Sequence, residues 1–183
     1  MKVITGNPGT GKHTIAKIIS KKIGIDLVDI NLVAKKEGIF KKKNKTFDVD
    51  VEKLRKIIDK KINKNSLLVG HLAPYAVSSK NVESIIVLRR NPYKLQSVYK
   101  KRQYTEKKAF ENLGSEILGV IYYDALREFG KKKTFQVDTT NRSVSSIVKK
   151  VEDIFRGKKR TEETVDWLQL VMKKGDMKRF FSY

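Results

Sequence analysis

"VITGNPGTGKHTIAKII" (Val3–Ile19) decides how the rest of the chain is read. Val3–Thr5 is a short apolar run suited to a buried strand, and Gly6–Lys12 is a glycine-rich turn with the spacing G-x-x-x-x-G-K. From Lys12 onward, Ile15, Ile18, Ile19 and Ile23 recur at helical spacing as far as Gly24, which predicts a helix over Lys12–Ile23. A strand, a glycine turn and a helix in that order make a cradle for phosphate. The glycines let backbone N–H groups turn inward, and the helix aims its positive end at the same point. Lys12 then reaches toward the β- and γ-phosphates of a nucleotide. His13 stands where many such loops carry a hydroxyl, and Thr14 follows it. The histidine is either a donor to a phosphate or a space-filling substitution.

The same alternation continues downstream. Ile25–Ile30 reads as a second strand and Leu32–Glu37 as a short helix closed by Gly38. Lys41–Thr46 reads as a polar loop and Val51–Ile62 as a helix, from the spacing of Leu54, Ile57, Ile58 and Ile62. Ser66–Gly70 is a third strand, ending beside His71, and Ser84–Arg89 a fourth. Pro92 opens a helix through Lys101, and one long helix is expected over Glu106–Phe129, stopped by Gly130. Thr134–Asp138 is a fifth strand and Val144–Phe155 a last helix. Strands that alternate with helices and read as continuous apolar runs predict a parallel sheet covered on both faces. "RGKKR" (Arg156–Arg160) reads as a hinge, so residues 1–156 are expected to form one domain and 157–183 a tail. That tail carries Val165, Trp167, Leu168, Leu170, Val171 and Met172, then "KRFFSY". It is too apolar to hang free and is expected to pack on the domain or on a partner.

Composition bounds the function. With no cysteine among 183 residues, disulfides and thiolate–metal sites are excluded. No stretch approaches the roughly 18 apolar residues of a membrane span. The chain enters a strand at once, so no signal peptide is expected and the reading is a soluble, cytoplasmic protein. The net charge of +21 suits an anionic partner, whether a nucleotide, a nucleic acid or a nucleoprotein. Its lysines also come in scattered pairs, such as Lys60-Lys61 and Lys107-Lys108, which would equally serve as solvated faces.

Several segments together resemble a known family. Beside "TGNPGTGKHT" stand "AKKEGIF" (Ala34–Phe40), "GHL" (Gly70–Leu72), "VLRRNP" (Val87–Pro92), "KRQYTEKKAFENLGSEI" (Lys101–Ile117), "VDTT" (Val137–Thr140) and "VDW" (Val165–Trp167). The ordered set resembles the atypical adenylate kinases of archaea and eukaryotes, the coilin-interacting nuclear ATPase group, and most of all its archaeal members. The resemblance implies a P-loop NTPase of nucleoside monophosphate kinase type: α/β, with a five-stranded parallel sheet flanked by helices and a short lid. It also implies ATP and Mg²⁺ as cofactors, AMP or another nucleoside monophosphate as acceptor, and an associated ATPase. It further implies a role in small ribosomal subunit assembly, with a small-subunit ribosomal protein as partner; whether the basic surface also meets rRNA is left open by the sequence. Carried over by motif, Gly9, Gly11, Lys12, His13 and Thr14 line the ATP phosphates, with Thr14 reaching the metal only through water. Arg102 matches the lid arginine, whose planar fork clamps phosphate oxygens. Asp138, Thr139 and the loop to Arg142 match the segment that cups adenine, and His71 matches the histidine after the third strand. Lys12, Arg102 and His71 are thus the candidate catalytic residues. His71 would otherwise only orient its loop.

The departures weigh against full activity. Val69 stands where relatives carry an Asp or Glu that organises Mg²⁺. Leu32 replaces an Asp before the short helix, Val98 an Arg in the helix before the lid, and Gln103 a glycine. One well-placed electrostatic group is worth about 10²–10³ in rate. Asp26 or Asp29 is a candidate to replace the lost carboxylate. The alternative is a catalytically impaired nucleotide-binding module that holds a ribosomal protein or rRNA.

Overall fold

The computed structural model describes residues 1–43, 46–158 and 163–181. Residues 44–45 of the expected polar loop, 159–160 of the expected hinge and Tyr183 lie outside the described residues. In chain order the elements are β1 (Lys2–Thr5), α1 (Lys12–Ile23), β2 (Asp26–Asp29), α2 (Ile30–Lys36), β3 (Phe40–Lys43), β4 (Thr46–Val49), α3 (Val51–Lys61), β5 (Ser66–Val69) and α4 (Ala73–Ala76). After a short 3₁₀ turn come β6 (Ser84–Arg89), α5 (Pro92–Lys101), α6 (Glu106–Ile117), α7 (Val120–Phe129), β7 (Thr134–Asp138), α8 (Val144–Phe155), α9 (Trp167–Lys173) and α10 (Met177–Phe180).

Five strands form one parallel sheet in the order β2-β5-β1-β6-β7. Successive side chains leave a strand on opposite faces, and the two cores follow that rule. Val3, Leu68, Ile85 and Val87 face a cluster with Leu54, Ile58, Ala76 and Ala125, under α3, α4 and α7. Ile4, Leu67, Val69, Ile86 and Leu88 face the other way, onto Ile15, Ile19, Ile147 and Val151 of α1 and α8. A third cluster joins Leu95 and Tyr99 of α5, Leu113 and Ile117 of α6, Val171 of α9 and Phe180 of α10. Tyr93 and Phe180 meet edge to face at 5.1 Å, and the Tyr93 hydroxyl donates to Asp176 at 2.6 Å. The C-terminal segment is thus packed onto the helices that follow β6.

Three expectations change. The expected long helix over Glu106–Phe129 is two helices, broken at Gly119, whose φ of 66° is left-handed. Where α6 ends, the backbone carbonyl of Glu116 accepts from the Gly119 amide at 3.2 Å and from the Arg89 guanidinium at 2.7 Å. The apolar periodicity continues across the break, so spacing alone does not reveal it. Of the expected polar loop, Lys41–Lys43 and Thr46 lie in the antiparallel strands β3 and β4, with Phe40 opposite Val49 and Lys42 opposite Phe47. Lysine-rich strands are poor in the β-branched and aromatic residues that signal strand. Finally α2 begins at Ile30 rather than Leu32, because the Asp29 carboxylate caps it, accepting from the amides of Asn31 and Leu32 at 2.9 and 3.2 Å.

Candidate functional site

All five parallel strands end on one edge, and that edge gathers the polar residues. It carries Asp29 at the end of β2, Gly70 and His71 after β5, Gly6 after β1, Arg89 and Arg90 at the end of β6, and Asp138 and Thr139 at the end of β7. Ligands of open α/β sheets bind in this crevice. The loop Gly6–Gly11 is tightly fitted. Gly6 has φ of 139°, and a Cβ on it would stand 2.4 Å from the Leu88 carbonyl oxygen. At Gly9 (φ 88°) a Cβ would lie 2.9 Å from Leu95 and 3.2 Å from Val98. Val98 therefore packs against the loop where the family resemblance expects an arginine. Tyr99 donates to the Pro8 carbonyl at 2.7 Å and Arg90 to the Gly9 carbonyl at 3.0 Å.

Helix α1 starts on Gly11 with no side chain capping its first amides. Its opening residue, Lys12, is only 5% exposed, and its Nζ rests 3.4 Å from the Asn7 carbonyl. Burial, with the Arg102 charge nearby, lowers the ammonium from 10.5 to about 8, against the pull of Asp29 and Glu116. Arg102, exposed at the end of α5, is thus close enough for its field to reach Lys12. His71 is lowered to about 4 by burial and by the charges of Lys12 and His13, so it is neutral at pH 7. His13 lies with Nε2 3.2 Å from Oδ2 of Asp29. Burial raises the Asp29 carboxyl, but the His13 hydrogen bond and the Leu32 and Asn31 amides outweigh it and hold it below the ordinary value. Thr14 is exposed on the first turn of α1. Asp29 is in register with Val69, which is 1% exposed, whereas Asp26 lies at the opposite end of β2. Of the two candidate carboxylates, only Asp29 is at the site.

The segment after β7 is built differently from the phosphate loop. The Thr139 amide and hydroxyl both donate to the Arg89 carbonyl, at 2.9 and 3.0 Å. Asp138 accepts from the Thr140 amide at 2.8 Å, closing a turn. The Asp138 amide and Arg142 both donate to Glu163, at 2.6 Å each. At the other end of the site Gln103 has φ of 53°. It is the left-handed residue of a Schellman motif: the Tyr104 amide donates to Tyr99 and the Gln103 amide to Lys100, both at 3.1 Å, and the Tyr99 and Tyr104 rings stack.

Sequence reasoning missed the group beneath the cradle. Arg89 and Glu116, 3% and 1% exposed, form a buried ion pair at 2.9 Å. Oε1 of Glu116 also accepts from the Arg90 amide and from Trp167 Nε1, each at 3.0 Å, and Oε2 accepts from Asn7 Nδ2 at 2.8 Å. Ser115 donates to Oδ1 of the same Asn7 at 3.1 Å. Gln136 accepts from Arg89 at 2.6 Å. The quoted segments contain Arg89, Glu116 and Trp167, but only the fold brings them together.

The crevice brings together an uncapped helix N-terminus, a buried lysine and the charge of Arg102, a set suited to a polyanion. Among the described residues no group of three or more His, Cys, Asp or Glu side chains is arranged to hold a metal ion, so side chains alone do not make a metal centre. No helix among them is long and apolar enough to cross a membrane.

Comparison with known proteins agrees with this geometry. The sequence profile of the AAA domain matches residues 3–119. A protein of Methanocaldococcus jannaschii named "Putative adenylate kinase" is 37% identical over 171 residues, covering 91% of this chain and 92% of its own. One of the same name from Thermococcus kodakarensis is 32% identical over 169 residues, covering 91% and 92%. Among solved structures, deoxyadenosine kinase from M. mycoides superposes with a TM-score of 0.57 at 18% identity, covering 86% of this chain and 100% of that one. Shikimate kinase from Acinetobacter baumannii gives 0.57 at 16%, covering 87% and 95%. These two share the fold, a parallel sheet flanked by helices. The strand–loop–helix cradle, the five-stranded sheet and the nearly full-length match to the archaeal proteins place the chain in the AAA-domain family, in its adenylate kinase-like group.

Proposed function

We propose that the chain is a phosphotransferase of adenylate kinase type, moving the γ-phosphoryl group of ATP to AMP, with ATP hydrolysis as a side activity. The observation that carries this reading is Lys12. It is a buried cation at the foot of an uncapped helix, and burial makes its charge costly until an anion arrives. In the transfer, an oxygen of the AMP phosphate bonds to the γ-phosphorus of ATP while the bond from that phosphorus to the β-phosphate oxygen breaks, leaving two ADP. The protein's share is to position the two nucleotides and to balance charge. Gly9, Gly11, His13 and Thr14 flank the phosphates, Lys12 and Arg102 neutralise them, and neutral His71 offers a ring N–H or a lone pair beside the acceptor. Asp138, Thr139 and Arg142 border the adenine. Mg²⁺ bound to the nucleotide would neutralise phosphate charge, and Asp29 is the carboxylate that would hold its water shell.

The test is ADP formation from ATP and Mg²⁺, with and without AMP, in the native chain and in Lys12→Ala. AMP-dependent ADP that disappears in the variant supports the kinase, and AMP-independent ADP indicates an ATPase. A second reading rests on Val69, a core residue where a metal-organising carboxylate is expected. On that reading the chain is a nucleotide-binding module in the cytoplasm that holds a small-subunit ribosomal protein or rRNA, which the net charge of +21 suits. Nucleotide binding without Lys12-dependent ADP would select it.

A further inference from the structure

The residues beyond α8 reach back to both walls of the crevice. Glu163 grips the loop after β7: Oε2 accepts from the Asp138 amide, and Oε1 accepts from Arg142 and from Lys150. Its backbone carbonyl accepts from Gln136 Nε2 at 3.4 Å. Four residues later, the indole N–H of Trp167 ends on Glu116, which holds Asn7 of the phosphate loop. The contacts close into a ring. From the Glu163 carbonyl it runs to Gln136, from Gln136 to Arg89, from Arg89 to Glu116, and from Glu116 to Trp167. Apart from Glu163, the members lie on β6, α6, β7 and the start of α9. Asp166 caps α9 by accepting from the Gln169 amide at 2.8 Å, which fixes where Trp167 begins that helix.

We propose that residues 163–167 form a strap that positions the two halves of the nucleotide site against each other, Glu163 setting the base-side loop and Trp167, through Glu116, setting Asn7 and the phosphate loop. The inference rests on the nucleotide-binding reading above. Both are positioning residues, since neither lies on the phosphate loop itself. The two ends of the strap act on different parts of a nucleotide, and that separates positioning from general stability. A ligand of phosphates alone senses only the Trp167 end. A whole nucleotide senses both.

The experiment uses the full chain and measures displacement of a fluorescent ATP analogue by ATP and by inorganic tripolyphosphate. Trp167→Phe keeps a ring in place but removes the donor. It is expected to weaken ATP and tripolyphosphate alike, by about five- to tenfold, as loss of one hydrogen bond to a buried charge implies. Glu163→Ala is expected to weaken ATP by a similar factor and to leave tripolyphosphate unweakened. Phe129→Leu, a buried residue at the far end of α7, serves as a stability control and should change neither affinity at a matched loss of melting temperature. If both strap variants bind both ligands as the native chain does, or lose affinity only in step with the control, the strap is overturned while nucleotide binding stands. If the native chain binds neither ligand and Lys12→Ala changes nothing, the nucleotide reading fails and the strap with it. Trp167 is the one tryptophan of the sequence, so its emission gives a variant-free readout. It should shift when tripolyphosphate is added to the native protein, and an unchanged spectrum at saturation counts against the strap even where Trp167→Phe does not fold.

Discussion

Replacing Lys12 by Met should make the ligand-free protein more stable while abolishing nucleotide binding. Burial carries Lys12 from 10.5 to about 8, a difference worth roughly 3 kcal/mol against its charged form. Methionine keeps an unbranched stem of similar length and removes the charge, so about 2–3 kcal/mol of that penalty should return as stability at pH 7. The sign can be followed with pH. Below about 8 the lysine is charged in both the folded and the unfolded chain, and the folded state bears the full penalty. Between about 8 and 10.5 the folded state releases the proton first, so the stability of the native chain rises across that window. The variant has no such rise, and its advantage should shrink toward zero as pH approaches 10.5. Urea unfolding followed by Trp167 emission at pH 7 and at pH 9.5 measures both effects. With a slope of about 2–3 kcal/mol/M, the midpoint at pH 7 should rise by about 1 M. A variant that is no more stable at pH 7, or whose advantage does not change with pH, would refute the argument that the cradle stores an uncompensated cation.

Other perturbations probe the site and its support. Glu116→Ala leaves the Arg89 guanidinium buried without its carboxylate and should destabilise the fold by about 3–5 kcal/mol in chemical denaturation; a loss under 1 kcal/mol would contradict the assigned ion pair. Gln103→Gly relieves a left-handed φ of 53°. The relief of about 1–2 kcal/mol, less the added freedom of the unfolded glycine, should leave a net gain of about 0.5–1 kcal/mol, read as a raised melting temperature. Val69→Asp puts a carboxylate beside Asp29 at the strand ends and should raise Mg²⁺-dependent ADP formation by about tenfold or more, at some loss of stability. Unchanged turnover in a folded variant would show that Asp29 already fills the role. His71, lowered to about 4, is neutral throughout the range from pH 6 to pH 8, so activity should show no inflection near 6.5 that disappears in His71→Ala.

The parts of this molecule that could be read from the sequence are those whose causes are local. The strand, glycine loop and helix from Val3 to Ile23 follow from adjacent residues, and the structure places α1 at Lys12–Ile23 as spacing predicts. The apolar runs of β5 and β6 announce a sheet buried on both faces. The break between α6 and α7 stayed hidden because the apolar spacing runs on across Gly119, and the Arg89 contact with the Glu116 carbonyl at the end of α6 comes from another part of the chain. The β3–β4 pair stayed hidden because its lysines mask the alternation. Within the site, Lys12 and His71 could be placed from their motifs, but Asn7 and Glu116 are 109 positions apart, and no local pattern joins them. Asp29 was recognisable as a carboxylate near a strand end. Only the register with Val69 shows that it stands on the same edge as the cradle, while Asp26 does not.

The central position of β1 bears on how the chain is made. Strand β1 emerges well before the neighbours it pairs with, β5 and β6. The loop it carries is anchored later still, when Glu116 meets Asn7 and then Trp167 meets Glu116. At about 5–20 residues per second of synthesis, Asn7 waits roughly ten to thirty seconds for the last of these contacts. Closure of loops this long also makes folding slow. Through that interval the glycine loop has its sequence but not its support, and it acquires a fixed shape only once Trp167 has been made. A nascent chain truncated before Trp167 would therefore carry the whole phosphate motif and lack the frame that holds it.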